Sequence, residues 1–372
     1  MTRVLVTGGA GFIGSHTVDL LVKEGYKVRI VDNLIEQVHN GKKPSYLNKE
    51  AEFVLGDVSQ GQNWKKWLDG VDIIIHLASM TGLGQSMYKP SDYCISNIDG
   101  TAKLFESLIK DKKIRKNIKK IIVASSKTIY GEGAYKCSAH GMIFPQLRAI
   151  GQLEKGDFEL HCPHCGKAMQ TMPIPEEKPP NCLSAYSITK YATENLAMIY
   201  GPTLNIPTVA FRYFSVFGPR QSLSNPYTGV CSIFLSRLIN GEQPVIFEDG
   251  NQVRDFVYVE DVAKANLMAL KKEGFQGIYN VGSGIPQSIK EVAATIGDVL
   301  GKKVAPKITN DFRYGDTRND LSDNSKIEKA LGFKPKVSFK QGIEKLVEWS
   351  KNTEALDSFD NAERERIRLL GK

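Results

Sequence analysis

No apolar run in this 372-residue sequence approaches the length needed to cross a bilayer. The first apolar strand begins directly after Met1, which leaves no room for a cleaved leader, so a cytoplasmic protein with no membrane contact is expected. A dominant charge of one sign is also missing: 49 basic residues stand among 41 acidic ones, for a net charge of +8. Only Lys110 to Lys120 is densely basic, and its place between a helical pattern and a strand reads as a solvated linker, not a nucleic-acid surface. The mild excess of positive charge suits an anionic small molecule. Cysteine is scarce, six in all, and a cytoplasmic setting argues against disulfides.

What is present begins at Arg3. Val4, Leu5 and Val6 form a short buried strand, glycines follow, and Phe12 and Ile13 open a helical pattern through Thr17, Leu20 and Leu21. The glycines read either as Gly9-x-Gly11-x-x-Gly14 or as Gly8-x-x-Gly11-x-x-Gly14. Either spacing lets the backbone turn tightly and bring the free N–H groups of the helix start to a pyrophosphate. A second strand, Lys27 to Val31, ends at Asp32, where a carboxylate can accept from an adenosine ribose and would repel a 2′-phosphate, so NAD is expected rather than NADP.

Short apolar runs then alternate with helical patterns: strands at 52–55, 71–77 and 119–124, helices at 64–68 and 91–111, and a further helix opened by Ala185. This predicts an α/β protein, a Rossmann-type doubly wound parallel sheet with helices on both faces. Residues 1–217 are expected to form the dinucleotide-binding domain, 218–350 a smaller C-terminal α/β substrate lobe with some crossing of the chain between the two, and 351–372 a charged tail. That tail reads as a solvated helix able to dock through Ile367, Leu369 and Leu370. Asp57 is placed to meet an adenine edge, His76 reads as a packed strand residue, and Met80 to Pro90 reads as a flexible loop on the ligand side.

Later residues add chemistry. A serine turn, Ser125-Ser126, follows the fifth strand, and Tyr186 and Lys190 stand four apart on one helix face. A phenol of ordinary pKa near ~10 becomes a base only when its anion is stabilised, which a nearby ammonium does. Ser126 can bind the substrate oxygen that gives up its proton.

Residues 133–180 form an insertion containing Cys137-x-x-His140 and Cys162-x-x-Cys165-Gly166. Two close pairs of thiol and imidazole ligands predict a zinc-ribbon-like closed tetrahedral site, structural because no position is left for water. His161 and His164 are rival ligands, while Cys94, Cys182 and Cys231 read as packed residues. The acidic neighbours Glu154, Asp157, Glu159, Glu176 and Glu177 argue against a nucleic-acid role for the insertion.

Taken together these motifs resemble the extended short-chain dehydrogenase/reductase family, in particular its NAD-dependent nucleotide-sugar epimerases and dehydratases. The resemblance rests on Thr7 to Gly14, Asp57-Val58, His76-Leu77-Ala78, Asn97, Ser126 with Tyr130-Gly131, Tyr186-x-x-x-Lys190, Arg212 to Arg220 and Arg254 to Val262. It implies Ser126, Tyr186 and Lys190 as the catalytic trio. The cofactor would be held by Gly8, Gly11, Phe12, Ile13, Gly14, Asp32, Asn33, Asp57, Val58, Leu77, Ala78, Ser79 and Asn97, together with Tyr186 and Lys190. A nucleotide diphosphate sugar would be met by Lys127, Thr128, Arg220, Tyr227, Arg254 and Arg318, and a homodimer would form through the helices carrying Asn97 and Tyr186.

Two departures from the family pattern stand out: Ser215 replaces a common asparagine, and Lys127-Thr128 occupies the positions of the dehydratases' acidic pair. Without those acids a leaving hydroxyl cannot be protonated, which disfavours dehydration. The insertion together with Ser222 to Gly229 resembles family members that interconvert dTDP-L-rhamnose and its 4-epimer. A 4-ketoreductase, a decarboxylase, a UDP-sugar 4-epimerase and a catalytically silent nucleotide-binding protein stay open as alternatives.

Overall fold

The computed structural model describes residues 1–313 and 315–371; Tyr314 and Lys372, at the tail's end, lie outside the described residues. Seven strands build the central sheet: β1 (Arg3–Thr7), β2 (Lys27–Asp32), β3 (Glu52–Leu55), β4 (Ile73–His76), β5 (Lys120–Ser126), β6 (Thr208–Tyr213) and β7 (Gly277–Val281). All neighbours pair in parallel, in the order β7-β6-β5-β4-β1-β2-β3. The direction in which strands are added across the sheet reverses between β1 and β4, and the crevice this opens at the carboxyl edge is where such sheets bind ligands.

Alternation along β1 shows why the strand is buried on both sides. Val4 and Val6 join one apolar cluster with Val18 and Leu21 of helix α1 (Phe12–Lys23), whereas Leu5 faces Trp64, Trp67 and Leu104 on the other side. Helix α2 (Gly100–Lys110) and helix α3 (Ala185–Thr203) cover that second face. A Ser184 capping box starts α3 at the residue expected. Helix α4 (Val259–Lys271) packs on the α1 side and leads into β7, so the chain returns to the large sheet after residue 218. A third core, around Phe217, Leu235, Tyr258, Ile296 and Leu346, holds a smaller sheet of Ser215–Phe217, Val253–Tyr258 and Pro286–Ser288. Among the described residues no helix is long and apolar enough to cross a membrane.

Four local expectations change. The helix expected over 91–111 is broken: Pro90–Tyr93 runs into a π-helical stretch, Cys94–Asp99, before α2 begins. The Asn97 carbonyl there accepts from the hydroxyls of Thr101 and Thr193, which favours the wider turn. The Met80 to Pro90 segment contains a helical turn, Leu83–Ser86, and is tied down by Tyr93 and Asn97 instead of hanging free. The basic cluster is a helix, Lys112–Asn117, capped by the Asp111 carboxylate. The tail forms helix α5 (Phe359–Leu370), but Ile367, Leu369 and Leu370 stay exposed and it docks through its other face.

Candidate active site

The glycine loop settles its own register. Gly8 has φ +68°, and a Cβ there would lie 2.7 Å from the Ala78 nitrogen; a Cβ on Gly14 would lie 2.0 Å from the Gly8 oxygen. Gly8, Gly11 and Gly14 therefore make the turn and the close approach, with Gly11 at the N-cap of α1, while Gly9 packs on Ile30. Phe12 and Ile13 form the first turn. Asp32 is buried with Oδ2 accepting from the Ala10 N–H (3.0 Å) and Oδ1 from the Leu34 N–H (2.9 Å). Each oxygen keeps a second lone pair, and the carboxylate is fixed beside the loop. Asn33 donates to Asp57 (3.0 Å), whose other oxygen accepts from Ser59; burial raises the Asp57 carboxyl, but these bonds outweigh it and leave the group lowered. Val58 is buried, and Leu77 and Ala78 bond through their N–H groups to Thr7. The Ser79 hydroxyl donates to the Met80 carbonyl (2.9 Å).

His76 is a buried packed residue, as expected: its ring nitrogens meet Thr7 and Thr101, and burial drives its pKa to about 3, so it stays neutral. The Asn97 side chain is fully engaged by protein, accepting from the Met80 N–H (2.8 Å) and donating to the Met80 carbonyl and to Thr189. It fastens the ligand-side loop to α3, so its part at the site is indirect.

Ser126 ends β5 and Tyr186 sits in the first turn of α3, so the crossing of that helix over the sheet edge brings them together. The Thr128 N–H (3.2 Å) and hydroxyl (3.0 Å) both donate to Ser126 Oγ. Both lone pairs of that oxygen are thereby taken, and its own proton is left to point toward Tyr186. Burial pushes the Tyr186 phenol up to about 12 while the hydrogen bond with Ser126 pulls it down; burial alone draws Lys190 down to about 8. The ammonium is thus not what governs the phenol here, and desolvation outweighs the stabilisation expected from the sequence. Below the serine turn, Ser125 donates to Glu194 (2.6 Å), which holds Arg212 through two bonds, and Arg212 in turn bonds Tyr130 (2.7 Å). This buried support and Tyr93, whose ring meets Tyr186 edge-on at 6.2 Å, were missed because their partners are far away in sequence.

The residues expected to grip substrate are placed unevenly. Arg220 faces α1, pairing with Asp19 (2.7 Å) and lying over the Tyr46 ring, whose hydroxyl bonds Ala10 of the glycine loop. Lys127 bonds Asp320, as does the Arg254 Nε (3.3 Å). Arg254 also donates to the carbonyls of Val253, Arg318 and Thr317, leaving one N–H uncommitted among the described residues. Arg318 corrects the expectation: it is buried, and each of its two terminal nitrogens donates twice, to Glu159, Glu248 and Asp249, in an internal ion cluster that joins the insertion to the smaller lobe. Tyr227 bonds Tyr88 and, at 3.0 Å, Glu365 of α5.

In the insertion, Ala134–Cys137 pairs antiparallel with Gly141–Ile143 and Gln170–Met172. Cys137, His140, Cys162 and Cys165 converge with every ligand atom within 4.8 Å of the others. The Sγ atoms of Cys137 and Cys165 are 3.7 Å apart, and His140 Nδ1 lies 3.6 and 3.4 Å from the sulfurs of Cys137 and Cys162. Tetrahedral Zn–S and Zn–N bonds of ordinary length require edges of about 3.8 and about 3.6 Å. The donor set fits zinc. His161 is turned away onto Asp157 (2.8 Å), and His164 stacks on His140 outside the set. Cys231 is buried but Cys94 is exposed, not packed.

The sequence model of the NAD dependent epimerase/dehydratase family matches residues 4–143 and 164–282. The chain is 34% identical to a dTDP-L-rhamnose 4-epimerase of Burkholderia thailandensis, covering 93% of this chain and 94% of that protein. It is 35% identical to a putative UDP-glucose 4-epimerase of Methanocaldococcus jannaschii, with 94% and 98% covered. Among solved structures, the UDP-glucose 4-epimerase of Thermotoga maritima with UDP-glucose superposes with a TM-score of 0.77 at 31% identity, over 94% of this chain and 99% of that one. With its glycine loop, serine turn and Tyr-x-x-x-Lys helix assembled on one parallel sheet, the chain belongs to the NAD dependent epimerase/dehydratase family.

Proposed function

We propose that the chain is an NAD-dependent nucleotide-sugar 4-epimerase that works by transient oxidation at C4, with dTDP-L-rhamnose or its 4-epimer as the substrate pair. The observation that carries this reading is the Tyr186 phenol beside Ser126 at the carboxyl edge, with Lys190 one turn along the same helix. NAD, when bound, supplies the redox partner for the hydrogen at sugar C4 and a cationic ring at the site. Gly8, Gly11 and Gly14 with the first turn of α1 would hold its pyrophosphate, and Asp32 and Asn33 its adenosine ribose. Asp57 and Val58 would border the adenine, Leu77 to Ser79 would line the cleft, and Lys190 would reach the second ribose. Tyr186 takes the proton from the sugar 4-hydroxyl and later returns it. Ser126, with both lone pairs filled by Thr128, can only donate; it steadies the oxygen that gains negative charge. Arg220, the free N–H of Arg254 and Tyr227 are the protein groups for the diphosphate sugar.

Dehydration is disfavoured because Lys127 and Thr128 stand where an acid is needed, and both are already bonded, to Asp320 and Ser126. The four-ligand cluster of the insertion holds a structural zinc in this reading, and the molecule is a cytoplasmic homodimer.

The test incubates wild-type and Tyr186→Phe protein with dTDP- and UDP-sugars and follows products by NMR. Loss of 4-epimer formation by about 10²–10⁴-fold is expected. Retention of most activity would remove the proposed base. Net consumption of NAD(H) would mark a ketoreductase, and carbon dioxide release a decarboxylase.

A further inference from the structure

The C-terminal helix reaches the ligand side of the sheet, and it brings a carboxylate with it. Contacts run without a break from Tyr186 to the tail. The Tyr186 ring meets Tyr93, and the Tyr93 hydroxyl donates to the Thr81 carbonyl (2.8 Å). Gly82, next in the chain at φ +120°, lies so close to Tyr227 that a Cβ on it would stand 2.9 Å from the Tyr227 Cβ. The Tyr227 hydroxyl donates to Glu365 Oε2 (3.0 Å), and Tyr88, at the far end of the same loop, bonds the Tyr227 hydroxyl and approaches Glu365 at 3.3 Å.

Both phenols are held above their ordinary pKa, chiefly by burial, so at neutral pH they stay protonated and act as donors toward the Glu365 carboxylate. Two nearby cations are engaged elsewhere: Glu363, two residues before Glu365 on the helix, pairs with both Arg313 (2.9 Å) and Arg366 (2.5 Å). The helix is not loosely placed. Phe359 lies beneath the Arg237 guanidinium, and Arg237 also pairs with Asp357 and Asp360.

We infer that Glu365, delivered by the C-terminal helix and held by Tyr88 and Tyr227, is a specificity-determining residue that selects neutral sugars over uronic acids. This rests on the nucleotide-sugar reading of the site. A sugar seated against Tyr186 has its far side toward the 80–90 loop and Tyr227, so a carboxylate at C6 would face a fixed carboxylate in a partly desolvated wall, where like charges repel strongly. A hydroxymethyl or methyl group at C6 meets no such penalty, and a sugar hydroxyl gains an acceptor.

UDP-glucose and UDP-glucuronate differ only at C6, a hydroxymethyl group against a carboxylate, so the ratio of their dissociation constants, read with its salt dependence, reports that charge. Calorimetric titration of the full chain is expected to give at least tenfold tighter binding of UDP-glucose at low salt. Glu365→Gln, which keeps the shape and its hydrogen bonds, should bring the two affinities within about threefold, whereas Tyr227→Phe, which keeps the charge, should preserve most of the preference. Raising ionic strength should shrink the wild-type ratio and leave that of Glu365→Gln unmoved, a response that a purely structural role would not give. An unchanged ratio in Glu365→Gln would overturn the assignment while leaving the epimerase reading intact. Binding of neither ligand by the wild type would overturn this inference, and failure to bind dTDP-L-rhamnose as well would overturn the site reading with it.

Discussion

Lys190 carries a cost that can be measured apart from catalysis. Its side chain is buried on α3 and its folded pKa lies at about 8, below the 10.5 of an exposed lysine. Between those two values the unfolded chain binds a proton that the folded chain does not, so this residue makes the cofactor-free protein more stable as pH rises from 8 to 10.5. Below pH 8 the penalty is complete, of order ~3 kcal/mol. Lys190→Met should therefore raise the unfolding midpoint relative to wild type at pH 7, with the gap closing by pH 10.5, while abolishing turnover. A pH-independent difference in urea or thermal midpoints would contradict that account. At the same scale Thr128 changes its part: adjacent in sequence to the turn, it reads as a substrate contact, yet in the fold its N–H and hydroxyl fix the direction of the Ser126 proton.

Among the elements, the insertion separates what local spacing can reveal from what it cannot. Two Cys/His pairs at knuckle spacing were legible, and the antiparallel strands bring them together with the edge lengths of a zinc tetrahedron. One zinc per chain by metal analysis is the expected result, with Cys162→Ser losing the metal and lowering the melting temperature by several degrees. Full stability in metal-free wild type would dismiss it. The ties from the insertion to the rest of the fold were not legible. Glu132 accepts from the backbone N–H groups of Arg318 and Asn319 and from the Tyr135 hydroxyl, and Glu159 reaches Arg318. The bonds to Arg318 and Asn319 span more than 150 residues of sequence, so no window around Arg318 could distinguish a buried ion hub from a phosphate grip. The π-helical stretch at Asn97 was hidden for a similar reason, since one of its partners, Thr193, lies on α3.

For the molecule as a whole, helix α3 presents Ile188 and Ile199 to the outside at 54% and 59% exposure. They are eleven residues apart, about three turns, and so lie on one stripe. Ile95, on the adjoining helical segment, is exposed as well. These apolar side chains accord with the proposed pairing of two chains through the helices that carry Asn97 and Tyr186. Sedimentation should give twice the chain mass for the wild type, and Ile188→Glu should shift it toward the monomer while Tyr186 remains folded in place. A monomeric wild type would refute the pairing.

By itself the sequence determined the parallel sheet, the cofactor loop, the start of the tyrosine helix and the four residues of the Cys/His cluster, because each is written in short-range periodicity, glycine spacing or paired side chains within one or two turns. Tertiary structure alone decided which glycine register makes the turn, which partners hold each arginine, and that the tail meets Tyr227 and Tyr88. Those outcomes depend on distant charges competing for the same partners and on the close approach of separate backbones, and neither is encoded in any local stretch of chain.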